Sequence, residues 1–93
     1  MNESQQMAGG WSDFTIQITV EDKAAFDDAL KGLLGVTYTP VAVSKQVVNG
    51  INYRFVCLAQ TVYPGAPVRL AMVDIHFSPE KKHAFVTGIR DLG

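Results

Sequence analysis

The sequence contains a single cysteine, Cys57, so no disulfide can form within the chain. A small domain without disulfides depends on its hydrophobic core, and nothing in the sequence demands an oxidising compartment. The sequence also lacks the run of about 18 apolar residues from which a membrane-spanning helix is made. Residues 1–6 are polar and do not contain the apolar stretch of a secretion signal. These absences predict a cytoplasmic protein.

The sequence also has no marked excess of positive or negative charge. Eight Lys and Arg residues stand against nine Asp and Glu residues, which gives a formal net charge of −1. No basic field therefore attracts nucleic acid, and no polybasic segment binds a membrane surface. The sequence also contains no glycine-rich phosphate-binding loop. We expect a partner that is neither nucleic acid nor membrane, and we expect no cofactor.

The length and composition are those of one small globular domain. The chain has 93 residues, of which 47% are hydrophobic and 18% are charged, and this balance is not typical of a disordered chain. Residues 1–10 are first polar and then small, and they end in Gly9 and Gly10. We interpret residues 1–10 as a flexible N-terminal arm and residues 11–93 as a single domain.

Hydrophobic periodicity predicts a strand and then a helix in the first third of the chain. Apolar residues occupy every second position over residues 13–20, which is typical of a strand. The spacing then becomes three and four residues, which favours a helix that ends at Gly35. Thr19 and Asp22 have the spacing of a capping box at its start. The apolar face of this helix is predicted to contain Phe26, Ala29, Leu30, Leu33 and Leu34.

The remainder of the sequence predicts four strands joined by hairpins. The predicted strands are residues 37–48, 51–63, 68–77 and 83–90. Pro40 indicates an edge position or a bulge, and Asn49-Gly50 is a strong hairpin signal. With the strand over residues 13–20, the order becomes β-α-β-β-β-β. We therefore expect an α+β fold in which an antiparallel sheet of about five strands packs on one helix.

The predicted first hairpin has an unusually apolar tip. Hairpin tips normally face water, yet Val47 and Val48 directly precede Asn49-Gly50. Strand alternation can bury one valine, and the other should then project outward. Either a partner covers the outer valine or it packs locally, and the residues alone leave both interpretations open.

One possible interpretation is that the protein is an enzyme or holds a metal ion. The residues that could carry such chemistry are few, namely Cys57, Asp74, His76 and His83. A cysteine and a histidine can form a nucleophile–base pair, but Cys57 alternates with Phe55 and Ala59, as a core thiol would. The spacing of one cysteine and two histidines fits no common zinc site. The sequence therefore predicts neither catalysis nor metal binding.

At the first hairpin the chain resembles the cystatins, which inhibit papain-like cysteine proteases. The family signature Gln-x-Val-x-Gly is matched by Gln46, Val48 and Gly50, and residues 51–53 are similar to the strand that leaves this loop. A glycine, Gly9 or Gly10, precedes the predicted first strand, and a second hairpin follows downstream. The resemblance covers residues 9–92, and without disulfides it is greatest to the stefin type and the plant cystatins.

The resemblance implies a reversible inhibitor that blocks the protease cleft with the arm and two hairpin loops, without cofactor or catalysis. Met7 and Ala8 would then lie in the enzyme's specificity pockets. The second loop departs from the family, since many cystatins have Pro-Trp where this chain has Pro79-Glu80, so we expect the arm and the first loop to contribute most. The implied protease-binding residues are Gly9, Gly10, Gln46, Val47, Val48, Asn49, Gly50, Ser78, Pro79 and Glu80.

Two alternatives accompany this interpretation. The same fold could serve as a protein-binding module that does not inhibit proteases. The protein is expected to be a monomer, but Val47 and Val48 beside a tight turn would also allow the first hairpin to open and form a domain-swapped dimer.

Overall fold

The computed structural model describes residues 9–93, which form one helix and a four-stranded antiparallel sheet. The expectations for Met7 and Ala8 lie outside the described residues. The α+β class is confirmed, and the strand order in the sheet is β1-β2-β3-β4. The elements are α1 (Val20–Leu30), β1 (Val36–Val48), β2 (Gly50–Thr61), β3 (Val68–Ser78) and β4 (His83–Asp91).

Helix α1 begins with the predicted capping box. The Thr19 hydroxyl accepts from the Asp22 N–H at 3.1 Å, and the Asp22 carboxylate accepts from the Thr19 N–H at 3.0 Å. The helix ends earlier than predicted, because Gly32 adopts a left-handed conformation with φ of +86°. Leu33 and Leu34 were expected on the buried face, and this was wrong, since they are 43% and 90% exposed.

The predicted strand over residues 13–20 is not a regular strand, and this corrects the expected element order. The N-terminal segment instead follows the free edge of β1 through two isolated bridges, Trp11 with Gln46 and Thr15 with Val43. The ladder is interrupted because the Ser12 hydroxyl, rather than a main-chain carbonyl, accepts the N–H of Lys45. The sheet therefore has four regular strands instead of five, and all of them follow the helix.

The four later strands confirm the hairpin predictions to within two residues at each end. The pairing of β1 with β2 shifts register between Pro40 and Ala42, as expected where proline removes a main-chain donor. A second irregularity interrupts the pairing of β3 with β4 after Asp74.

The core lies between α1 and one face of the sheet. Phe55 is fully buried on β2, and its ring meets that of Phe26 on α1 edge-on, with centroids 4.8 Å apart. Burial of one such side chain stabilises the fold by about 1.5–3 kcal/mol. The other core side chains on the sheet are Val43, Tyr53, Cys57, Val73, Ile75 and Ala84. We call this the helix-facing side of the sheet, and the opposite side its outer face.

Candidate functional site

The tip of the first hairpin leaves both of its valines uncovered. The register pairs Val48 with Gly50, which leaves Asn49 alone at the turn. Gly50 takes a positive φ, at +112°. Val47 is 46% exposed and Val48 is 40% exposed. Packing within the protein therefore buries neither valine.

The arm glycines lie directly beside this tip. The Gly9 N–H donates to the Val47 carbonyl at 2.9 Å, and the Gln46 side-chain amide donates to the Gly9 carbonyl at 2.8 Å. Trp11 forms a bridge with Gln46, so Gly10 is held between these two points of contact. The structure therefore brings Gly9 and Gly10 to the outer edge of β1, next to Gln46 and Val47.

The second hairpin flanks the first on its other side. Phe77 on β3 pairs with Ile51, so Ser78 and Pro79 continue past the end of the ladder toward Gly50. A Cβ built on Gly50 would overlap the Phe77 carbonyl oxygen and would lie 3.1 Å from Cδ of Pro79. The two hairpins are therefore packed together at this glycine.

Three segments thus lie side by side at one end of the sheet. We call residues 9–10, 46–50 and 78–80 together the three-part edge; apart from Met7 and Ala8, which lie outside the described residues, they include the residues that the resemblance to cystatins implied for protease binding. The residues from 46 to 52 are all uncharged, and charge enters only with Glu80 in the second turn. The edge therefore presents an uncharged central ridge, on which Val47 and Val48 are exposed, with a charged turn on one side.

A partly buried ion pair fastens the first hairpin to the helix. Lys45 donates to the Asp22 carboxylate at 3.0 Å, and Asp22 is only 1% exposed. Lys45 shares the helix-facing side with Val43 and Val47. The pair was not predicted from the sequence, although a charged residue at a core-facing position of a strand indicates a partner on the opposite element.

The second hairpin is fastened to the same helix. The Asp28 carboxylate accepts from the Ala84 N–H at 2.8 Å and lies 2.9 Å from Nδ1 of His83. The bond from Ala84, together with His83 and Lys31, holds the pKa of Asp28 below its usual value. Both hairpins are thus tied to α1 within a few residues of their tips.

The candidates for catalysis are not brought together. Cys57 is fully buried on the helix-facing side, and burial raises the pKa of its thiol to about 12. Asp74 and His76 share the outer face, where Asp74 binds Arg90 at 2.9 Å. His83 contacts Asp28 instead. Within residues 9–93, no three His, Cys, Asp or Glu side chains are grouped as a metal site would require.

Comparison of the chain with protein-family models, with curated proteins and with solved structures finds no match in any of the three. In the part of the chain that the structure describes, no helix has both the length and the apolar character needed to cross a membrane.

Proposed function

We propose that this protein is a reversible inhibitor of papain-like cysteine proteases, and that the three-part edge enters the active-site cleft of the enzyme. One observation carries the proposal. Val47 and Val48 form an uncovered apolar tip that has Gly9 hydrogen-bonded on one side and Pro79 packed on the other. An exposed Gln-x-Val-x-Gly loop between two flanking segments supports the proposal, because the resemblance to cystatins implies contact with the protease through these three segments.

The geometry supports inhibition by occlusion, without a chemical step. Gly9 and Gly10 have no side chains, so the main chain can pass close to a catalytic cysteine. The Gln46–Gly50 tip is a paired hairpin before binding, which reduces the conformational entropy lost in the complex. Three short segments of this kind can bury an interface of about 1,600 Å² in total. Affinity then depends mainly on a few anchors, for which Val47 and Val48 are the candidates.

Inhibition of papain by Val48→Asp and Val62→Asp variants tests the proposal. Val48 lies at the tip, and Val62, which is 68% exposed, follows β2 at the opposite end of the sheet. Loss of an apolar contact together with burial of an unpaired carboxylate should raise the inhibition constant at least about 30-fold for Val48→Asp. The Val62→Asp variant should inhibit as the parent does, because it carries the same change far from the edge.

Two results would contradict the proposal. The first is full papain activity in a large excess of the intact protein, which would favour a protein-binding module that does not inhibit proteases. The second is an equal effect of the two substitutions, since a loss that does not depend on position cannot come from contact at the tip. Thermal unfolding of each variant separates lost contact from lost folding.

A further inference from the structure

Three hydrogen bonds cross the outer face of the sheet and end at the arm. Nδ1 of His76 lies 2.6 Å from Oδ1 of Asn52, and Nδ2 of Asn52 donates to Oε1 of Gln46 at 2.9 Å. Nε2 of Gln46 then donates to the Gly9 carbonyl at 2.8 Å. The strand register places Gln46 opposite Asn52, and Asn52 opposite His76, so the side chains form one row across β1, β2 and β3.

The three bonds have a single direction. An amide oxygen can only accept, so Nδ1 of His76 must carry a hydrogen. Asn52 accepts with its oxygen and donates with its nitrogen, and this fixes which end of the Gln46 amide faces Gly9. The ring of His76 also contacts that of Phe85, with centroids 5.6 Å apart. The orientation of each side chain is therefore set by the next one in the row.

We propose that Gln46, Asn52 and His76 are positioning residues that hold the Gly9 carbonyl beside the first hairpin, so that Gly9 and Gly10, the described end of the arm, are docked before a protease binds. This assigns to Gln46 a role within the free protein, in addition to any contact with the enzyme. The consequence for affinity rests on the proposed function, because docking of the arm in advance lowers the entropy lost when the complex forms. Docking of the arm in the free protein does not depend on that function.

The Asn52→Asp substitution removes the hydrogen-bond donor in the middle of the row with almost no change in the shape of the side chain. A carboxylate at position 52 cannot donate to Oε1 of Gln46. If the Gln46 amide turns to compensate, its oxygen faces the Gly9 carbonyl and that bond is lost as well. The matched control is Gln60→Glu, an amide-to-acid change on the same strand and face, where Gln60 donates to the Ala66 carbonyl far from the arm.

A second variant, His76→Phe, keeps an aromatic ring next to Phe85 but removes the donor to Asn52. Its side chain lies on the outer face and outside the core, so folding should be preserved. His76→Phe should release the arm from the edge of β1 as Asn52→Asp does, but to a smaller extent, because the bond from Gln46 to Gly9 is left in place.

Docking of the arm can be measured without any protease. Trp11 is the sole tryptophan and lies next to Gly10, with its ring centroid 4.2 Å from the guanidinium carbon of Arg54. Stronger quenching of its fluorescence by acrylamide reports release of residues 9–11 from the edge of β1. Hydrogen exchange of the Gly9 amide, which donates to the Val47 carbonyl, reports the same event at the main chain.

For Asn52→Asp we expect stronger quenching of Trp11, about tenfold faster exchange at Gly9 and an inhibition constant for papain that is about five- to tenfold higher. Gln60→Glu should match the parent in all three. Unchanged quenching and exchange in Asn52→Asp would overturn the positioning role. A released arm with unchanged inhibition would overturn its contribution to affinity. If the parent itself does not inhibit papain, the proposed function fails, and quenching and exchange still decide whether the row positions the arm.

Discussion

Gly50 of the first hairpin lies so close to Pro79 of the second that a Cβ at Gly50 would be only 3.1 Å from Cδ of Pro79. The same Cβ would overlap the Phe77 carbonyl oxygen. Gly50 also has a φ of +112°, which side-chain-bearing residues rarely adopt. This glycine therefore allows both the tight turn of the first hairpin and the close approach of the second.

The Gly50→Ala variant should be markedly less stable than the parent. The backbone strain and the overlap with Phe77 together should lower the free energy of unfolding by about 2–4 kcal/mol. Urea unfolding followed by far-UV circular dichroism measures this loss. Gly88→Ala is the control, because Gly88 has no positive φ and a Cβ there would be 3.7 Å from the Asp74 carboxylate. Similar stability losses in the two variants would show that Gly50 has no special role.

Asp22→Ala should destabilise the protein far more than the same change at Asp27. Asp22 combines a capping box with the ion pair to Lys45, and its removal should cost about 2–4 kcal/mol. Asp27 pairs with Lys23 on the solvent side of α1, and its loss should cost at most about 0.5 kcal/mol. Chemical unfolding of both variants provides the comparison, and near-equal losses would mean that the buried pair contributes nothing beyond a surface one.

The elements that the sequence predicted well are those fixed by neighbouring residues. The capping box at Thr19 depends on residues three positions apart, and the Asn49-Gly50 turn depends on two adjacent residues. The two hairpins of the three-part edge were predictable because each carries a local turn signal, and because successive hairpins bring alternate strand ends to the same end of a sheet. The place of Gly9 and Gly10 beside them was expected only from the resemblance to cystatins.

The failures arose where a distant contact decided the outcome. Apolar alternation over residues 13–20 resembles that of a strand, but the Ser12 hydroxyl replaces a main-chain acceptor for Lys45 and breaks the ladder. The row that runs from His76 through Asn52 to Gln46 exists only because two hairpins fix the register of three strands. The turn at Asn49-Gly50 sets the register of β1 with β2, but the register of β2 with β3 depends on the longer connection over residues 62–67, and no short window of sequence specifies it.

The stability of the protein should fall as the pH rises above about 9. Burial, with the Asp22 and Glu21 carboxylates, raises the pKa of Tyr53 from 10.0 to about 12, and burial raises that of Cys57 from 9.0 to about 12. The unfolded chain then releases these protons at lower pH than the folded protein does. Each group should lower the free energy of unfolding by at most about 1.4 kcal/mol per pH unit across this range.

Thermal unfolding between pH 8 and pH 11 measures this dependence. Tyr53→Phe and Cys57→Ala should each flatten the alkaline slope, whatever they do to stability at pH 8. Tyr63→Phe, at a position that is 57% exposed, should leave the slope of the parent unchanged. A parent slope that persists in both core variants would show that these two groups do not control alkaline unfolding.

If the proposed function holds, a Glu80→Trp variant should inhibit papain more tightly than the parent. The second turn has Pro79-Glu80 where many cystatins have Pro-Trp, and Glu80 is exposed beside the tip. An aromatic anchor buried at an interface typically contributes 1 kcal/mol or more, so the inhibition constant should fall about tenfold. Lys81→Trp is the control, because it adds the same side chain one position further from the edge. Equal effects of the two substitutions would indicate non-specific hydrophobic binding, and no gain from Glu80→Trp would mean that the second hairpin does not reach the enzyme.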